Sequence, residues 1–350
     1  MNDSAPHRHG TATPPGANPL TVEVTRGQMV ESRHRVSVAV CDPDGKVVRH
    51  WGDIERPVYA RSSIKPLQAL PLIESGAADA FGLSDAEIAL ACASHNGEKR
   101  HVDTVRAWLA RIGLGQDALE CGPQPPFHDR AAMARIDAGE DLASLYNNCS
   151  GKHSGFLTTA VHKSENPRGY IRLEHPVQQR VLGVLEQICG LDLGNAPKGI
   201  DGCGIPVIGI PLGNIAMAMA RMADPDGLPD HRAAAAKRIV SAMMAEPFMI
   251  AGTNRFTTRM MTALKGRVAL KGGAEGFHVA ILPTLGLGVA LKCDDGAGRA
   301  ADATMAMVLA HLGVLTEAEQ AELADVMFPT VENRARLAVG RVQRAADAPF

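Results

Sequence analysis

The chain has 350 residues, an apolar fraction of 45% and a formal net charge of −2, the composition of a globular protein. The near-neutral balance and an aromatic fraction of 4% argue against nucleic acid or a membrane surface as partner, and no stretch reaches the roughly 20 apolar residues of a membrane helix. Seven scattered cysteines without a C-x-x-C pair predict thiols in a reducing compartment, not a disulfide framework or a zinc ribbon. The first residues, "MNDSAPHRHGTATPPGANP", lack the apolar run of a signal peptide. A cytoplasmic location is therefore expected, with a disordered tail over 1–19.

"HRVSVAVCDPDGKVVRHWGD" (34–53) alternates polar and apolar residues around Asp42-Pro43-Asp44-Gly45, the pattern of a β-hairpin. "YARSSIKPLQAL" (59–70) then opens a helix expected to run through Ile73. Ser84 and Glu87 stand at capping-box spacing and start another, expected to end near Ser94. "HVDTVRAWLARIGLG" is amphipathic and closed by glycine, whereas 121–148 reads as irregular. Helices are expected from "CSGKHSGFLTTAVHK" and over 175–190, where Pro176 lies near the start and Gly190 follows the end. After the Gly/Pro-punctuated "KGIDGCGIPVIGIPL" come two more helices, "GNIAMAMARMA" and "HRAAAAKRIVSAMMAEP". "GRVALKGGAEGFHVAILPTLGLGVALKCDDGAG" holds three short β-type runs, followed by helices near 297–312 and 316–327. Strands near both ends around a helical middle predict an α+β fold, an antiparallel sheet flanked by helices. The expected domain spans 20–330, as one unit or two lobes, and the polar residues 331–350 read as a loose tail.

Several clusters carry candidate chemistry. Ser62 and Lys65 fit S-x-x-K, which places hydroxyl and amine on one helix face. A partly desolvated lysine can take a serine proton. The same residues also fit a serine cap and a surface lysine. Ser94 and His95 open a polar cluster after an apolar run. In "YNNCSGKHSG" (146–155), Cys149 and Lys152 repeat the i, i+3 spacing beside His153. Asp201 and Cys203 in "IDGCGIP" share one side of an extended turn, where a thiolate metal ligand and an acid–base carboxylate both fit. Lys271 precedes Gly272 and Gly273 at a strand end, where a lysine could reach an acyl group.

Taken in order, "RSSIKPLQ", "CASHNGE", "NNCSGKHSGFL", "DGCGIP", "LKGGAEG" and "LKCDDG" resemble the thermolabile, or Rhizobium etli type II, L-asparaginase family, over about residues 20–325. The resemblance implies hydrolysis of L-asparagine to L-aspartate and ammonia, on a fold similar to serine β-lactamases and glutaminases, in a homodimer. It implies Ser62, Lys65, Ser94 and Lys271 as catalytic residues. It also implies a Zn2+ ion held by Cys149, Lys152 and Cys203, with Asp201 beside it. For a zwitterionic substrate, Arg61, His95 and His153 are the candidates for the α-carboxylate and Asp201 for the α-ammonium. The segment "AGTNRFTT" (251–258) is less glycine-rich than the family pattern leads one to expect. Competing readings are another Ser-Lys acyl-transfer hydrolase, such as a glutaminase, and a non-catalytic zinc- or thiol-sensing protein.

Overall fold

A computed structural model describes residues 16–350, so most of the expected N-terminal tail lies outside the described residues. Asn18, placed in that tail by the sequence, is buried: its amide donates to Asp294 (2.7 Å) and its oxygen accepts the Asp53 N–H (2.8 Å).

The main sheet begins with β1 (Leu20–Arg26), antiparallel to β2 (Met29–Cys41), which in turn pairs with β3 (Val47–Trp51). The β2–β3 turn is the expected one. Asp42 accepts the N–H groups of Asp44 (3.1 Å) and Lys46 (2.9 Å), and Gly45 takes φ 89°. A second, three-stranded sheet joins β4 (Pro57–Tyr59), β5 (Lys198–Ile200) and β6 (Pro206–Pro211), with β6 in the centre. It sets the chain entering the Ser62 segment beside the hairpin that carries Asp201 and Cys203 at its tip. The three β-type runs of 266–298 are β7 (Ala269–Gly273), β8 (Phe277–Leu282) and β9 (Leu287–Cys293), in consecutive antiparallel register and added to β2 through β9.

The far edge corrects the sequence reading. Residues expected to be a loose tail form β10 (Thr330–Glu332) and β11 (Ala338–Arg344), and β11 pairs with β1, Val22 opposite Arg344. Phe350 is buried edge-on against Trp51. The segment looked loose because these two marginal strands expose most of their side chains and bury mainly Val342. The whole sheet runs β10-β11-β1-β2-β9-β8-β7, with β3 on β2, so the class is α+β.

Helices cover both faces. Leu212–Ala223 lies across β9, β2 and β8 and is backed by Pro176–Cys189 and Asp230–Ala245; Gly298–His311 covers the other face. The first contact depends on glycine: a Cβ at Gly288 would sit 2.1 Å from the Ala216 carbonyl and 2.2 Å from the Ala220 nitrogen. The small residues of "GNIAMAMARMA" therefore let helix and sheet backbones touch. The Ser84–Glu87 capping box forms, with both the backbone N–H and the hydroxyl of Ser84 on the Glu87 carboxylate (2.8 Å each), but its helix, Asp85–Ala91, stops before Ser94. Residues 121–148 hold an α-helix, Asp129–Asp137, and a short 3-10 turn, Ser144–Tyr146, that the sequence did not suggest; the α-helix buries no residue, so it has no apolar stripe to betray it.

Candidate active site

Ser62 lies on a tight 3-10 turn, Arg61–Ile64, and not inside an α-helix. Arg61 has φ 51°, a conformation unfavourable for a residue with a side chain. Its guanidinium holds both oxygens of Asp201 (3.1 and 3.2 Å), so the small sheet and the ion pair together fix the turn. The next wall is β7. A Cβ at Gly273 would fall 2.6 Å from Ser63 Oγ and 2.8 Å from the Ala60 carbonyl, so only glycine lets this strand approach the serines. Ser63 is buried and donates to the Phe277 carbonyl (3.3 Å), leaving Ser62 as the serine at the cavity.

Lys65 is fully buried. It donates to the Ala93 carbonyl, to Ser94 Oγ (3.1 Å) and to Cys149 Sγ (3.2 Å). These acceptors match the three N–H donors of an ammonium. Among the described residues Lys65 is hydrogen-bonded to Ser94 and not to Ser62, so the S-x-x-K pair is not closed on itself. Ser94 is itself anchored by its N–H on the Ile250 carbonyl (2.9 Å) and receives a second lysine, Lys271, at 2.8 Å. Burial first, and then the charge of Lys65, hold the Lys271 amine well below its ordinary value.

Cys149 precedes the Ser150–His162 helix, and Gly151 lets that helix press onto Asp85–Ala91: a Cβ there would lie 2.3 Å from the Leu90 carbonyl. This contact brings Cys149 to Lys65. Lys152, one turn on, donates to Cys203 Sγ (3.0 Å). A hydrogen bond between the thiols, with Lys65 and Lys152 nearby, holds Cys149 well below the usual thiol value and pushes Cys203 up. Two buried sulfurs and an amine thus converge beside Asp201, and this donor set fits a borderline-soft cation such as zinc.

Ser62, Ser94, Cys149, Cys203, Asp201 and Arg61 line one cavity of about 380 Å³, and Lys65, Lys152 and Lys271 reach its wall from behind through the bonds above. Two expected substrate contacts do not reach it. His95 is fully buried: its Nδ1 accepts the Gly97 N–H (3.1 Å), so its Nε2 donates to Ser150 (2.9 Å). His153 is equally buried, its Nδ1 2.7 Å from the Tyr170 hydroxyl. Burial holds both rings well below the ordinary histidine value, which makes them neutral braces of the wall. Arg61 and Asp201 do line the cavity, but they hold each other.

The structure adds residues that the motifs did not single out: Gln124, Arg255, Phe256, His278 and Asp302. Arg255 and Phe256 come from the segment that departed from the family pattern. Arg255 donates to Asn96 Oδ1 (3.1 Å). His278 and Asp302 stand in no local motif.

The sequence matches the L-asparaginase II family over residues 22–344. The chain belongs to that family. The match runs through β11, in keeping with its place in the sheet. None of the curated proteins matches it in sequence. The similar solved structures are distant. One is Mglu in its tris and glutamate form, 12% identical with TM-score 0.45, covering 85% of this chain and 63% of that one. Another is a β-lactamase from Mycobacterium bovis, 14% identical with TM-score 0.34, covering 83% and 95%. A third is the D-alanine carboxypeptidase AmpC from Burkholderia cenocepacia, 12% identical with TM-score 0.39, covering 80% and 93%. This chain spans less than two thirds of the length of the first. Among the described residues no helix is long and apolar enough to cross a membrane.

Proposed function

We propose that this chain hydrolyses L-asparagine to L-aspartate and ammonia through an acyl-enzyme on Ser62, as a cytoplasmic homodimer of the Rhizobium etli type II kind. One observation carries the reading: the Ser94 hydroxyl is shared by two buried lysines, Lys271 at 2.8 Å and Lys65 at 3.1 Å, at a cavity that Ser62 also lines. Lysines so placed differ in role. Lys65, held by three acceptors, positions Ser94 and Cys149. Lys271, held below its ordinary value, is the amine able to accept a proton.

In the first step Ser62 Oγ bonds to the side-chain amide carbon, and its proton passes through Ser94 to Lys271. The carbonyl becomes an oxyanion, received by backbone N–H groups around Ser62. The C–N bond then breaks, the proton returns through Ser94 to the nitrogen, and ammonia leaves. Water repeats the sequence on the ester, giving aspartate and free Ser62. Cys149, Lys152 and Cys203 would hold Zn2+, which supplies a positive charge that orders substrate and pocket. Binding there requires Lys152 to give up its proton to solvent, because an ammonium has no lone pair to offer.

Ammonia release with Ser62→Ala tests the reading. Turnover should vanish while the circular dichroism spectrum stays unchanged. Substantial residual turnover removes Ser62 as nucleophile. Ammonia from glutamine but not from asparagine moves the assignment to a glutaminase, since one methylene changes binding by only about 1–3 kcal/mol.

A further inference from the structure

The cavity extends past the serines to a histidine that the mechanism above does not use. Neighbouring residues on a strand point to opposite faces. Lys271 therefore points toward the Leu212–Ala223 side of the sheet, and Gly272 with its register partner His278 toward Gly298–His311. The His278 ring covers Gly272, where a Cβ would come within 3.0 Å of its Nε2. At the adjacent Gly273, a Cβ would meet Ser63 Oγ at 2.6 Å and the Ser63 nitrogen at 3.1 Å. Only a dipeptide without side chains stands between imidazole and serine turn, and Gly272, Gly273, Ser62, His278 and Asp302 all line the same cavity.

The chemistry of the pair is specific. A carboxylate only accepts, so His278 Nε2 donates to Asp302 (2.7 Å) and the neutral ring carries its lone pair on Nδ1. That Nδ1 is buried and has no hydrogen-bond partner among the described residues. A buried polar atom without a partner asks for one, and the ring that carries it lines the cavity. Asp302 lines the cavity beside the ring and adds a carboxylate to that acceptor, so the complement of the pair is a cationic N–H donor. An amino-acid amide has one in its α-ammonium. Asp201, the carboxylate first expected in that role, has both oxygens on the Arg61 guanidinium.

We propose that His278, oriented by Asp302, receives the α-ammonium of the substrate and so selects amino-acid amides over plain amides. This rests on the proposed function in taking such an amide as substrate. The test compares L-asparagine with succinamate, the same amide without the amino group. Wild-type protein should prefer asparagine. His278→Gln keeps a donor toward Asp302 but loses Nδ1, so KM for asparagine should rise at least about tenfold while succinamate is unaffected. Asp302→Asn should act in the same direction. Melting temperatures identify any variant that fails to fold. Equal changes for both substrates, or none in folded protein, overturn the proposal. Calorimetry on Ser62→Ala separates this failure from that of the proposed function, because it reads binding without turnover. Preference for L-aspartate over succinate, lost in Ser62→Ala with His278→Gln, supports the ammonium site even if the wild type releases no ammonia. Preference retained in that double variant rejects it.

Discussion

Lys271 and Lys152 are both buried lysines at the wall of one cavity, and their amines are displaced in opposite directions. Lys271 loses solvation and faces the charge of Lys65, so its amine falls well below its ordinary value. Lys152 loses solvation just as fully, but Cys203, Cys149 and Asp201 outweigh that loss and raise it. Burial alone therefore does not make a lysine a base; the sign of its neighbours does. In the proposed reaction the serine side of the cavity moves protons and the thiol side holds positive charge, whether an ammonium or a metal ion.

The comparison can be broken most sharply at Lys271. Lys271→Met should lower ammonia release by about 10²–10⁴-fold, the range for removing a general base, with little change in KM. Lys65→Met gives a subtler readout. Lys271 acts when neutral, so activity appears as pH rises through its titration. Removing the neighbouring charge raises that titration, and the acid limb of the kcat/KM profile should move to higher pH. An unmoved limb would detach Lys271 from the profile. On the thiol side, Cys203→Ser should reduce bound zinc, read by elemental mass spectrometry, and raise KM by about tenfold or more. Unchanged stoichiometry would remove the metal assignment. Gly273→Ala forces a methyl group against Ser63 and should cost about 1–3 kcal/mol, seen as a Tm lower by several degrees. The smallest effect belongs to Asp295, remote from both lysines. Burial is the largest single influence and opposes its charge, but Cys293, the Ala297 N–H and His34 together outweigh it and hold its carboxyl down to about 2. Its contribution is present above the usual value of 3.8 and fades as pH falls toward 2. Asp295→Asn should thus lower Tm slightly at neutral pH, and the gap should close in acid.

Local signals in the sequence were reliable where a residue's neighbours in the chain are also its partners in space. The 34–53 hairpin, the Ser84–Glu87 box and the run of β7, β8 and β9 all satisfy that condition. Legibility failed at long range. β11 finds β1 almost a chain length away, and nothing in "AVGRVQR" indicates that pairing. The motifs drew attention to Ser94, Cys149 and Cys203, which the fold brings together around Lys65 and Lys152. They misdirected at His95 and His153, because a polar residue inside a motif can brace a wall without facing the cavity. His278 and Asp302 were invisible for the opposite reason: their bond joins a strand to a helix, and neither lies in a polar cluster.

The pairing of β11 with β1 also imposes an order in time. β1 is synthesised early and can join β2 at once, but its other edge has no partner until residues 338–344 have left the ribosome. Throughout synthesis that edge offers free N–H and C=O groups to any passing strand. Completion of the sheet is therefore a late, non-local closure, and the nascent chain rather than the finished protein is the form most exposed to aggregation.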